Sequence, residues 1–125
     1  MSVGGSADHD SISLGDGDRD VVFIAGNSSH DTITLGNGGP SSSFLGDVVN
    51  VIGSSDHDSI TLGRGRKDQV RNGGNSSYDT ITLGDGSADT VFVGGDSSHD
   101  TITLGNGEED QVTVIGSSSD DTNLG

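Results

Sequence analysis

The chain has no cysteine and no tryptophan, and among its 125 residues it holds one proline, one tyrosine and three phenylalanines. Without cysteine it forms neither disulfides nor thiolate metal sites. Aromatic residues make up 3% and hydrophobic residues 27% of the chain, too few for the thick core of an ordinary globular domain. Basic residues are scarce as well, five Lys/Arg against twenty Asp/Glu, for a formal net charge of −15. Phosphate recognition wants a basic face, so no nucleic-acid partner is expected. No stretch approaches the ~20 apolar residues of a membrane span, and no charged-then-apolar segment at the N-terminus reads as a signal peptide. Low hydrophobicity with high net charge would suit a disordered chain. The order of the residues argues otherwise, because the apolar ones are rationed into short alternating runs such as "SISL", "TITL" and "VTVI" between Gly/Ser/Asp/Asn clusters. That is the pattern of short strands joined by tight turns.

What is present is repetition. "HDTITLGNG" stands at 30–38 and again at 99–107, with close variants elsewhere. An aspartate precedes each (Ser/Thr)-Ile-(Ser/Thr)-Leu run: Asp10, Asp31, Asp58, Asp79 and Asp100, with Asp121 opening a sixth copy. A second series, Asp20, Asp47, Asp68, Asp89 and Asp110, runs between them. Both series advance by 21 residues except for one step of 27, Asp31 to Asp58 in the first and Asp20 to Asp47 in the second. The surplus lies in "GGPSSSFLGD", which contains the only proline, and reads as a six-residue loop insertion within 39–46. The last repeat, 117–125, is degenerate. A fixed period of this length points to a solenoid.

Each period has two halves, Gly-x-Ser-Ser-x-Asp-Thr-Ile-Thr-Leu and Gly-x-Gly-x-x-Asp-x-Val-x-Val. Side chains on a strand alternate between faces, so Ile and Leu of the first half point inward and its hydroxylic residues outward. The expected fold is all-β: a single domain over 1–125, a parallel β-solenoid (β-roll or β-helix) of about five 21-residue turns, with two strands per turn and two facing parallel sheets. Ile12/Leu14 and their equivalents would meet Val22/Ile24 and theirs across a thin core. In one turn Asn72 takes an inward place beside Val70, which reads as a hydrogen-bonded core asparagine.

Stacked turns set each aspartate about 4.8 Å from its equivalent. A column of like charges is destabilising and calls for protons, basic partners or bound cations. Lys/Arg are too few to pair with it, and oxygen-rich turns without His/Cys clusters at zinc spacing suit hard Ca²⁺ better than Zn²⁺. The pattern resembles the RTX or haemolysin-type calcium-binding repeat, Gly-Gly-x-Gly-x-Asp-x-(apolar)-x, which winds into a parallel β-roll. "LGDGSADTVFVGG" and "LGNGEEDQVTVIG" come closest to it. The resemblance implies Ca²⁺ ligands at Asp20, Asp47, Asp68, Asp89 and Asp110, helped by glycine carbonyls. By position, Asp10, Asp31, Asp58, Asp79 and Asp100 are candidates too. This chain departs from that family in having half-repeats of ten and eleven residues rather than nine, and Gly-x-Gly-x-x-Asp in place of Gly-x-Gly-x-Asp. The Asp10 series has lost the second glycine, so its carboxylates could instead cap turn amides. Arg64, Arg66 and Lys67 beside Asp68 suggest ion pairing there.

The outward positions of the first half are all hydroxylic: Ser11/Ser13, Thr32/Thr34, Ser59/Thr61, Thr80/Thr82 and Thr101/Thr103. Threonine is a good strand former, yet the array also resembles the Thr-x-Thr faces of antifreeze β-solenoids. On that likeness Thr32, Thr34, Thr61, Thr80, Thr82, Thr101 and Thr103 are candidate ice- or surface-binding residues. His9, His30, His57, Tyr78 and His99 form a further column, read as a solvated turn position that tolerates any polar side chain. Stacked imidazoles beside carboxylates are the ingredients of a Zn²⁺, Cu²⁺ or Ni²⁺ site as well. No nucleophile constellation or phosphate-cradling loop stands out, and an enzyme is not expected. The sequence reads as a non-catalytic calcium-binding module of a secreted or cell-surface bacterial protein, with an ice-binding or adhesive solenoid as the alternative. Strands around Val3 and Leu124 carry no cap, so end-to-end self-association is also expected.

Overall fold

The computed structural model describes residues 1–17, 19–37 and 46–124. The expected insertion at 39–46 falls, but for Gly46, outside them. Every named element is a strand, and the strands form three six-stranded sheets in which all pairs are parallel. The first sheet holds the Val-x-Val segments: β1 (Ser2–Val3), β4 (Val21–Ile24), β7 (Val48–Val51), β10 (Gln69–Asn72), β13 (Thr90–Val93) and β16 (Gln111–Val114). A second holds the Thr-Ile-Thr-Leu segments: β3 (Ser11–Leu14), β6 (Thr32–Leu35), β9 (Ser59–Leu62), β12 (Thr80–Leu83), β15 (Thr101–Thr103) and β18 (Thr122–Leu124). Register is the one the period dictates, with Ile33 beside Ile12 and Ile60, and Val70 beside Val49 and Val91. The chain is a parallel β-solenoid.

A third side was not visible as strand in the sequence. The Ser-Ser corners pair as two-residue strands: β2 (Ala7–Asp8), β5 (Ser28–Ser29), β8 (Ser55–Asp56), β11 (Ser76–Ser77), β14 (Ser97–Ser98) and β17 (Ser118–Ser119). In a solenoid each corner lies against its own copy in the next turn. Extended corner residues therefore satisfy their main-chain groups between turns, as the His30 amide does on the Asp56 carbonyl at 2.9 Å. Propensity rules miss this, because Ser and Gly are poor strand formers in isolation.

The core is the thin apolar column foreseen from the alternation. Ile33, Leu35, Ile60, Leu62, Ile81, Leu83, Ile102 and Leu104 face Val22, Ile24, Val49, Val51, Val70, Val91 and Val93, all buried. Val112 packs against this cluster only in part. Asn72 is buried as well and hydrogen-bonded: its amide donates to Ser55 Oγ at 2.6 Å and to the Asn75 carbonyl at 2.9 Å.

Candidate functional site

The two aspartate series stand in two columns at the corners of the solenoid, and the columns are hydrogen-bonded ladders. In the Ser-Ser corner series, Oδ1 of each aspartate accepts the main-chain N–H of the aspartate one turn earlier: Asp31 from Asp10 at 2.7 Å, Asp58 from Asp31 at 2.9 Å, Asp79 from Asp58 at 2.8 Å and Asp100 from Asp79 at 2.9 Å. The Gly-x-Gly series does the same, from Asp20 to Asp47 at 2.9 Å through Asp89 to Asp110 at 3.0 Å. Asp31, Asp47, Asp58, Asp68, Asp79, Asp89 and Asp100 are buried, whereas Asp10 is exposed and Asp20 and Asp110 are half-buried. The expected stack of carboxylates is thus interleaved with amide donors, which offsets part of the like-charge cost.

The residue before each aspartate sets this geometry. His9, His30, His57, Tyr78, His99 and Asp120 have φ of 53–58°, and Arg19, Lys67, Ala88 and Glu109 have φ of 62–66°. A single left-handed residue turns the chain so that the following side chain points inward. The sequence marks these positions only weakly, because none of them is the Gly or Asn that usually fills such a turn.

The ladders differ at Oδ2. In the Ser-Ser series a serine three residues back donates to it: Ser28 to Asp31 at 2.7 Å, Ser76 to Asp79 at 2.8 Å and Ser97 to Asp100 at 2.9 Å. One turn breaks the rule. Ser55, held by Asn72, donates to Asp79 rather than to Asp58, and Asp58 Oδ2 is left buried without a hydrogen-bond partner. In the Gly-x-Gly series, Oδ2 of Asp68 and of Asp89 is likewise buried without a partner. Burial pushes the carboxyls of Asp79 and Asp89 up to about 6 and raises those of Asp58 and Asp68.

Glycine makes room for this second ladder. A Cβ on Gly86 would collide with the Gly65 carbonyl oxygen and stand 2.6 Å from Asp89 Oδ2, and one on Gly107 would collide with the Gly86 carbonyl oxygen and stand 2.7 Å from Asp110 Oδ2. Carbonyl and carboxylate oxygens therefore converge on the bare face of each glycine. Such oxygens are the donors that a hard cation takes, so the residues suit Ca²⁺ in kind. Of the cations near Asp68, Arg64 reaches Asp85 at 3.8 Å and Arg66 Nε donates to Ser87 Oγ at 3.0 Å.

The candidate hydroxyl face is regular. Thr32, Thr34, Thr61, Thr80 and Thr101 are exposed and Thr82 and Thr103 half-buried, and they pair in register between turns, Thr82 beside Thr61 and Thr103. The histidine column is exposed and stacked ring on ring. Sequence reasoning missed two outer ladders in which Asp or Asn after a glycine caps the next turn: Asp16 accepts from the Asn37 amide at 2.8 Å, and Asp96 from the Ser117 amide at 2.8 Å. Their signal was there, in the recurrent Gly-Asn and Gly-Asp pairs. Compared with known proteins, the chain matches no protein-family model, no curated protein and no solved structure.

Proposed function

We propose that the chain is a non-catalytic structural module of a secreted or cell-surface bacterial protein, a solenoid rod that takes up Ca²⁺ along its Gly-x-Gly corner. The observation that carries this reading is the contrast between the two ladders. The Ser-Ser corner supplies hydroxyl donors to most of its second carboxylate oxygens, whereas Asp68 and Asp89 bury theirs without one. A buried, unpartnered carboxylate oxygen costs on the order of 1–3 kcal/mol, and a cation relieves that cost. Asp20, Asp47, Asp68, Asp89 and Asp110, with the glycine carbonyls beside them, would hold the ions. Asp10, Asp31, Asp58, Asp79 and Asp100 act mainly as acceptors within the fold. Calorimetric titration tests the assignment: Asp89→Asn should weaken Ca²⁺ binding and Asp79→Asn should leave it, while equal behaviour of the two variants would refute it.

The alternative is an ice-binding or adhesive surface. It is favoured by the exposed, in-register hydroxyl face, whose columns repeat about every 6.7 Å along a strand and about every 4.8 Å between turns. Thermal hysteresis of the protein, abolished in Thr82→Tyr, would carry this reading. No hysteresis in the parent protein would remove it.

A further inference from the structure

His9, His30 and His57 stack face to face, with ring centroids 4.8 and 4.9 Å apart and planes within 2° of parallel. Tyr78 continues the column at 4.8 Å and His99 follows at 4.7 Å. The left-handed backbone at these positions favours histidine but does not require it. The equivalent positions at the other corner share that conformation and carry Arg19, Lys67, Ala88 and Glu109. Carboxylates flank the stack. Asp8 Oδ1 lies 2.9 Å from His9 Nδ1 and accepts a hydrogen bond from Ser29 Oγ at 2.9 Å, and Asp56 Oδ1 lies 3.1 Å from His57 Nδ1. Donor atoms of Asp8, His9 and His30 all lie within 4.8 Å of one another.

We propose that Asp8, His9 and His30 form an open surface site for a borderline divalent cation of the Zn²⁺, Ni²⁺ or Cu²⁺ class. In a tetrahedral site, metal–nitrogen and metal–oxygen bonds of about 2.0–2.2 Å set the ligand atoms about 3.4 Å apart. The three donors lie within 4.8 Å of one another, and all three side chains are exposed and can turn inward on one ion without disturbing the core. Imidazole nitrogen selects these metals over Ca²⁺, and the formal net charge of −15 draws cations to the surface. Ser29 donates to the Asp8 oxygen that faces His9 and so fixes the carboxylate, as outer-sphere partners of metal ligands do. Tyr78 interrupts the column, so His99 stands apart from the other imidazoles with Asp120 3.7 Å away. The site shares neither residues nor ion class with the calcium reading, so either can fail without the other.

The experiment is calorimetric titration of Zn²⁺ into the protein in calcium-containing buffer. One-to-one saturable binding is expected. His30→Phe keeps a ring in the stack, as Tyr78 does naturally, and should lower the affinity by at least about tenfold, the scale that even outer-sphere partners carry, with the melting temperature unchanged. His99→Phe should leave the affinity alone. Tyr78→His joins His57 to His99 and should add a second binding event. A parent protein that does not bind Zn²⁺, or a His30→Phe variant that binds it as tightly as the parent, would overturn the proposal.

Discussion

Replacing Asp79 by alanine removes the acceptor for a buried main-chain donor and for two hydroxyls. Asp79 Oδ1 takes the Asp58 N–H at 2.8 Å, and Oδ2 takes Ser76 Oγ at 2.8 Å together with Ser55 Oγ. Serine hydroxyls rotate toward other acceptors, but the Asp58 N–H lies in a buried ladder and has no such freedom. At about 1–3 kcal/mol for each buried group left unpaired, the loss comes to about 3 kcal/mol. For a domain of this size that is a fall in melting temperature of about 10 °C. Asp79→Asn is the control. Its side-chain carbonyl still accepts from Asp58, its amide donates to the serines, and the cost of burying a carboxylate disappears, so it should melt at or above the parent. Thermal melts followed by circular dichroism at neutral pH read both variants. An alanine variant that melts with the parent, or an asparagine variant that falls as far as alanine, would refute the ladder as a set of structural acceptors. The second outcome would mean that the charge itself is needed.

Two further predictions concern buried polar groups in and beside the ladders. Asn72→Val restores the apolar pair found in neighbouring turns and frees Ser55 for Asp58; it should be neutral or stabilising by about 1 kcal/mol, read as a melting temperature no lower than the parent's. In calcium-free buffer, stability should rise as pH falls from about 7.5 to about 5. Asp79 and Asp89 titrate at about 6 in the folded chain against an ordinary 3.8, so over that interval the folded state binds the extra protons. The gain is about 1.4 kcal/mol per group by pH 5, and at most about 3 kcal/mol below the unfolded value. Asp8, Asp56 and Asp85, held below 3.8 chiefly by hydrogen bonds from Ser29, Ser77 and Asn106, oppose the trend only at lower pH. A melting temperature that falls steadily from neutral pH would contradict the burial of these carboxylates.

The solenoid was legible because its information is periodic. Ile33 and Ile60 are 27 residues apart in sequence yet neighbours in register, as the alignment of their aspartates requires. Inward and outward sides followed from simple alternation, including the buried Asn72. The third sheet was not legible, since Ser28–Ser29 pairs only because the next turn presents the same corner. The role of the aspartates was legible in part: capping of turn amides was the expected alternative for the Asp10 series, but which amide each one takes was not. Sequence placed Asp58 above Asp79 and counted two negative charges, but the N–H between them depends on the left-handed residue before each, and His57 and Tyr78 do not announce that backbone. The difference between the ladders turns on where a serine hydroxyl points, which spacing alone does not fix.

The most direct test of the calcium reading is the melting temperature at neutral pH in millimolar Ca²⁺ against excess EDTA. An ion that binds only the folded state at a hundred times its dissociation constant stabilises it by about 2.7 kcal/mol. The melt should therefore move up by several degrees in the parent and in Asp79→Asn, and by clearly less in Asp89→Asn. Identical melting in calcium and in EDTA would contradict the account and leave both ladders as internal acceptors.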